Sequence, residues 1–197
     1  MSTVIIQYNA GNIQSVLYAL ERLGVAALVT DDPIKIKTAD RVIFPGVGEA
    51  STAMQYLKER QLDILIQNLK QPVLGICLGM QLLLDHSMEN NVNCLSIIEG
   101  RCKAFSQQDK HPVPHMGWNT VEAGSGSSLF KGVESESFYF VHSYAVKKKV
   151  GAIATMSHHG EDFLAAVEDG VIAATQFHPE KSGDAGLHLI KNWTDSL

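Results

Sequence analysis

Residues 72–79, Pro72-Val73-Leu74-Gly75-Ile76-Cys77-Leu78-Gly79, pass straight from a short apolar strand into a helical segment, with no residues left for a loop. Glycines two positions either side of Cys77 let the chain turn sharply and keep Cβ atoms clear of the bend. A strand that feeds directly into a helix opens a βα unit, and such units wind right-handed over a parallel sheet. The other apolar runs agree. Val4-Ile5-Ile6 and Arg41-Val42-Ile43-Phe44 are short and stopped by turn residues, Asn9–Asn12 and Pro45-Gly46-Val47-Gly48, as strands buried on both faces should be. Val25–Val29 reads as another strand. Val16, Leu17, Leu20 and Leu23 fall at helical spacing before Gly24, a helix is expected from about Glu49 or Ala50 to Arg60, and Leu78–Leu84 is helical in character. From about Asn91 to Ala174 the segments Phe138–Val141, Ala152–Met156 and Val171–Thr175 stand between Gly, Ser and Pro residues, which predicts antiparallel hairpins added to the sheet; His158-His159-Gly160 reads as one of their turns. Ala185–Trp193 predicts a closing helix. The expected fold class is therefore α/β: an open, mostly parallel central sheet flanked by helices, with added antiparallel strands in the second half, in a single domain over residues 1–197.

Composition removes several classes of function. Sixteen Lys and Arg face 21 acids, a formal net charge of −5, and the one basic cluster is Lys147-Lys148-Lys149, so nucleic acid is not an expected partner. Three cysteines, with no Cys-x-x-Cys, fit a reducing compartment. The N-terminus lacks the pattern of a signal peptide, and no apolar run approaches the roughly 18 residues of a membrane span. A cytoplasmic location is expected, without membrane attachment. No Gly-x-x-x-x-Gly-Lys-Ser/Thr occurs, so ATP chemistry is not expected. His111-Pro112-Val113-Pro114-His115 has no acid partner, so neither a metal nor a cofactor is expected.

Gly75-Ile76-Cys77-Leu78-Gly79 has the form Gly-x-nucleophile-x-Gly in the strand-to-helix context that a nucleophile elbow requires. A sulfur there sits at a helix N-terminus, where the dipole favours thiolate over thiol, and the Leu78 amide points toward a developing oxyanion. A lone Cys is more often a packed structural residue, and Cys94 and Cys102, without such context, read that way. A thiol nucleophile needs a base and the base an orienter. Among eight histidines, His178 stands out in Gln176-Phe177-His178-Pro179-Glu180. It follows an apolar strand, and in an extended segment Glu180, two residues on, points the same way. Pro45-Gly46-Val47-Gly48 ends another strand on the same sheet edge, where open α/β sheets bind ligands. Its bare backbone can approach an oxyanion.

Together these segments resemble the class I, triad-type glutamine amidotransferases. The carrying residues are Pro45-Gly46-Val47-Gly48, Gly75-Ile76-Cys77-Leu78-Gly79-Met80-Gln81 and His178-Pro179-Glu180. Further segments extend the resemblance over essentially the whole chain: Gly11-Asn12-Ile13, His115-Met116-Gly117-Trp118-Asn119, Tyr139-Phe140-Val141-His142-Ser143-Tyr144 and Gln176–Ser182. These are most similar to the glutaminase subunits that work with a (β/α)8 cyclase subunit in histidine biosynthesis; related subunits supply ammonia for sugar modification in surface polysaccharide synthesis. The resemblance implies L-glutamine as substrate and a Cys77–His178–Glu180 triad, with an oxyanion hole from the Val47 and Leu78 amides. It implies that Gly46, Gly48, Gln81, His142, Ser143 and Tyr144 bind glutamine. Asn12, Trp118 and Lys181 are expected at the cyclase-facing rim, where Trp118 could equally be a core aromatic. It further implies that the Pro45–Gly48 segment rests with an amide turned away from the oxyanion until partner and ligand bind.

Overall fold

A computed structural model of the chain describes residues 1–9, 12–107 and 110–196; Gly11, part of one motif above, lies outside them. In chain order the elements are β1 (Thr3–Ile6), α1 (Ile13–Arg22), β2 (Ala27–Thr30), α2 (Pro33–Thr38), β3 (Arg41–Phe44), α3 (Ala50–Glu59), α4 (Leu62–Gln67), β4 (Val73–Ile76), α5 (Leu78–Leu82), β5 (His86–Ser87), β6 (Val92–Asn93), β7 (Arg101–Ala104), β8 (His115–Thr120), β9 (Ser137–His142), β10 (Tyr144–Ala145), β11 (Ile153–His158), β12 (Asp162–Asp169), β13 (Ile172–Thr175) and α6 (Gly183–Asp195), with single 3-10 turns at Glu89–Asn91 and Pro179–Lys181.

The central sheet has seven strands in the order β11-β12-β13-β4-β3-β1-β2. The five from β13 to β2 are parallel, and β12 and β11 extend them antiparallel. Alternation along each strand builds a core on both faces. Val4, Ile6, Val42 and Phe44 face Ile36, Leu57, Leu62 and Ile66 of α2–α4. Ile5, Ile43, Leu74 and Ile76 face Val16 and Leu20 of α1 and Leu189, Ile190 and Trp193 of α6. Burial on both faces is why β1, β3 and β4 read as continuous apolar runs.

Local signals set the helix ends. Gly24, at φ 71°, closes α1: its N–H donates to Glu21 O and that of Val25 to Leu20 O, the paired bonds of a Schellman cap. This delays the following strand to Ala27. Asp32 caps α2, its Oδ1 accepting from Ile34 N at 2.9 Å, with Pro33 at the first helical position.

The second half differs in part from the hairpins expected. The β11–β12 hairpin does join the central sheet, and His159-Gly160 lies in its turn. However, β13 is parallel to β4, β8 and β9 form a separate two-stranded ribbon, and β10, β7, β5 and β6 make a small four-stranded sheet. Strands of two to six residues carry too little periodicity to reveal which sheet they join.

Candidate active site

β4 ends at Ile76, and Cys77 takes φ 52°, ψ −106° before α5 begins at Leu78. A non-glycine residue in this region stores backbone strain of about 1–3 kcal/mol, which the surrounding packing must hold. Gly79 makes the turn possible: a Cβ there would lie 1.9 Å from the carbonyl oxygen of Phe44, so only glycine lets the first turn of α5 sit against the end of β3.

β13 lies parallel to β4 with Thr175 beside Ile76, which sets Gln176 beside Cys77 just beyond the two strand ends. The Gln176 side-chain amide donates to Cys77 Sγ at 3.7 Å. Two residues on, the His178 backbone is clamped to the β8–β9 ribbon: its N–H donates to Tyr139 O at 2.9 Å, and its carbonyl accepts from Ser182 Oγ at 2.7 Å. Nδ1 of His178 and Oε1 of Glu180 are 2.7 Å apart, with both side chains 1% exposed. Among the described residues, Nε2 of His178 has no hydrogen-bond partner. Burial works against charge on this ring, but the Cys77 sulfur and the Glu180 carboxylate outweigh it, and His178 is pushed up to about 10. The site therefore holds an imidazolium at neutral pH.

The Pro45–Gly48 segment continues from β3 on the same edge. Tyr8 donates its hydroxyl to Pro45 O at 2.5 Å, and Leu78 N–H donates to Gly46 O at 3.3 Å. Burial, and then the nearby Cys77, raise the Tyr8 phenol far above its ordinary range, so it remains a donor. In this arrangement the Leu78 amide is occupied by the Gly46 carbonyl.

A cavity of about 270 Å³ opens between these elements. Its lining brings together nine of the residues singled out from sequence: Val47, Gly48, Cys77, Leu78, Gln81, His142, Ser143, Tyr144 and His178. Gly46 and Glu180 stand behind it, holding Leu78 and His178. Glu89, Pro114 and Val141 also line it and were not foreseen, nor were Gln176 and Tyr8. Gln81 is 5% exposed, and its Nε2 donates to Tyr144 O at 3.1 Å and Gln176 Oε1 at 3.0 Å. Glu89 brings a carboxylate to the cavity; its Oε2 accepts from Ala50 N at 3.0 Å.

Asn12, Trp118 and Lys181 do not line the cavity. Trp118 is no core aromatic: on β8, Met116 and Trp118 point outward, 63% and 59% exposed, while His115 points inward. Lys181 is exposed and Asn12 half-buried, its Oδ1 accepting from Ser15 Oγ. Cys102 packs in the core and Cys94 is half-buried, and neither lines the cavity.

A strained cysteine at a strand-to-helix elbow, sharing a small cavity with a buried His–Glu pair on the carboxyl edge of a parallel sheet, has the make-up of a thiol-nucleophile enzyme. The profile of the family described as "Glutamine amidotransferase class-I" matches residues 4–196, and the chain belongs to that family. It is 52% identical to the imidazole glycerol phosphate synthase subunit HisH of Bacteroides fragilis, over 99% of this chain and all of that one. It is 45% identical to the subunit of the same name from Haemophilus influenzae, over 100% of this chain and 98% of that one. Among solved structures, PurLQS from Thermotoga maritima shares the fold, with a TM-score of 0.71 at 16% identity over 99% of this chain and 98% of that one.

Proposed function

We propose that this chain, acting as one domain, is the glutaminase subunit of an imidazole glycerol phosphate synthase. It hydrolyses L-glutamine to glutamate and passes the ammonia to a (β/α)8 cyclase subunit, in a heterodimer that serves histidine biosynthesis. The observation that carries this reading is the Cys77 elbow facing the His178–Glu180 pair across the cavity, in a chain alike over its full length to HisH subunits. A sugar-modifying partner would use the same cleavage, but the relatives do not favour it.

The geometry accounts for the steps. The Cys77 sulfur adds to the side-chain carbonyl carbon of glutamine. The Leu78 N–H meets the oxyanion, joined by Val47 N–H once the Gly46–Val47 peptide turns over and the Gly46 carbonyl lets go of Leu78. The C–N bond breaks as His178 gives its proton to the departing nitrogen, releasing ammonia and leaving a thioester. His178, now neutral, takes a proton from water; the hydroxide adds to the thioester, the C–S bond breaks, and glutamate leaves. Glu180 keeps the ring in place and stabilises its charge. Glu89 and the Gln81 carboxamide suit the α-ammonium end of glutamine, with Gly48 and the His142-Ser143-Tyr144 segment around it.

Ammonia in neutral water is mostly ammonium, which is not a nucleophile, so a glutaminase that supplies it gains from idling until its partner is ready. The Leu78–Gly46 bond supports such idling: the oxyanion site is filled by the protein's own carbonyl. Outward-facing Met116 and Trp118, with Asn12 and Lys181, supply the docking rim. The test is glutamine hydrolysis by the chain alone, then with the cyclase subunit and its ribonucleotide ligand. Strong stimulation that is lost in Cys77→Ala is expected. Absence of stimulation, with Cys77 still labelled by a glutamine analogue, would refute the assigned partner. Trp118→Ala should weaken complex formation; an unchanged affinity removes Trp118 from the rim.

A further inference from the structure

His142 lines the cavity, but its polar atoms are committed elsewhere. Nδ1 lies 2.9 Å from the Tyr144 carbonyl, which can only accept, so Nδ1 carries the proton and Nε2 is left as an acceptor. Nε2 lies 2.9 Å from Nδ1 of His115, which must therefore be protonated and donating. Nε2 of His115 is then an acceptor, facing Nδ2 of Asn119 at 3.3 Å. The Asn119 amide is fixed independently from the other end: its oxygen accepts from Thr120 N at 2.9 Å, and its nitrogen donates to His158 O at 2.8 Å. Backbone groups thus settle the polarity at both ends, and the two derivations agree. Donation runs in one direction, Asn119 to His115 to His142 to the Tyr144 carbonyl. That carbonyl also accepts from Gln81, whose partner Gln176 donates to Cys77 Sγ.

We propose that His115, which does not touch the cavity, is a positioning residue for glutamine: it fixes the tautomer of His142 and thereby the orientation of the Tyr144 carbonyl and of Gln81 at the substrate end of the site. A proton added to either ring would set two donors face to face, so both imidazoles work as neutral groups. Their surroundings agree with this. His115 stacks on His159 with ring centroids 4.1 Å apart, His111 packs edge-on against His159, and Phe105, Phe140 and Phe163 close the cluster. Among the described residues these packing partners are aromatic rings and imidazoles, and His178 lines the same cavity as His142. Burial, together with these like charges, lowers His115 to about 4; burial lowers His142 to about 3, with the His115, His159 and His178 charges in the same direction. His115 also sits on the strand whose opposite face carries Met116 and Trp118, so the proposed docking surface and the substrate end share one element.

The proposal rests on the glutaminase reading above, and its test separates the two. ¹⁵N spectra of the full chain should show both His115 and His142 protonated at Nδ1 and bare at Nε2. In the complex with the cyclase, His115→Leu should raise KM for glutamine roughly tenfold with a smaller change in kcat, as expected where a lost buried hydrogen bond acts on binding. His115→Asn, which keeps a donor at the position of Nδ1, should recover most of that loss. A His142 protonated at Nε2, or a His115→Leu complex with the wild-type KM, overturns the proposal and leaves the glutaminase reading standing. A wild-type complex that leaves glutamine intact overturns the glutaminase reading itself. The wild-type spectrum decides the tautomers even if His115→Leu fails to fold.

Discussion

Replacing Glu180 by Gln keeps the shape of the His178 partner and removes its charge. Both side chains are 1% exposed and 2.7 Å apart, so solvent screens little of the interaction. A hydrogen bond to a charged group contributes about 1.5–3 kcal/mol, against about 0.5–1.5 for a neutral one. Glu180→Gln should therefore cost the imidazolium about 1–2 kcal/mol relative to the neutral ring. At about 1.4 kcal/mol per pKa unit this is about one unit. His178 sits at about 10 despite burial, because Cys77 and Glu180 favour its charged form. It acts as the acid that protonates departing ammonia, so activity should fall as pH rises through its pKa. The alkaline limb of kcat/KM for glutamine, measured in the complex, should then move down by about one pH unit in Glu180→Gln. Stability has the same sign. A pKa raised in the folded state contributes fully below the unfolded value near 6.5 and is lost as pH rises toward 10. The variant should lose about 1–2 kcal/mol in urea unfolding at pH 6, and the gap should close by pH 10. An unmoved alkaline limb, or a stability loss independent of pH, would refute the assignment of Glu180 as the charge partner.

Three further outcomes follow from the same physical reasoning. Gly79→Ala places a Cβ 1.9 Å from Phe44 O, and the forced separation of α5 from β3 should lower stability by about 1–3 kcal/mol and slow alkylation of Cys77; an unchanged urea midpoint would contradict it. Tyr8→Phe leaves the buried Pro45 carbonyl without its hydroxyl partner, which should cost about 1–3 kcal/mol in denaturant unfolding; an unchanged midpoint would contradict it. His115 at about 4 and His142 at about 3 lie below their unfolded value, so the unfolded chain takes up protons first as pH falls below about 6.5; stability should drop on the order of 3 kcal/mol between pH 7 and pH 5, and a flat profile there would show the pair to be charged in the fold.

The sequence alone determined much of the active edge, because a nucleophile elbow is a local device. Its strand, sharp turn, flanking glycines and helix are consecutive residues, and the His178–Glu180 spacing is equally local. Local signals also cap helices, Asp32-Pro33 ahead of α2 among them. Gln176 had a signal of position alone, its place beside the triad motif; its role came from the register that sets β13 beside β4. Glu89 and Tyr8 had none, since each meets its partner across tens of residues of chain, and the motifs holding Asn119, His115 and His142 did not show that His115 and His142, 27 residues apart, would meet. Trp118 was undecidable from sequence because an alternating strand shows which residues share a face but not which face meets solvent; packing of the β8–β9 ribbon decided that. The resting state of the oxyanion segment was likewise beyond composition and spacing. Glycines permit either orientation of the Gly46–Val47 peptide, and the bond from Leu78 to the Gly46 carbonyl, made only once α5 is packed against the end of β3, selects one.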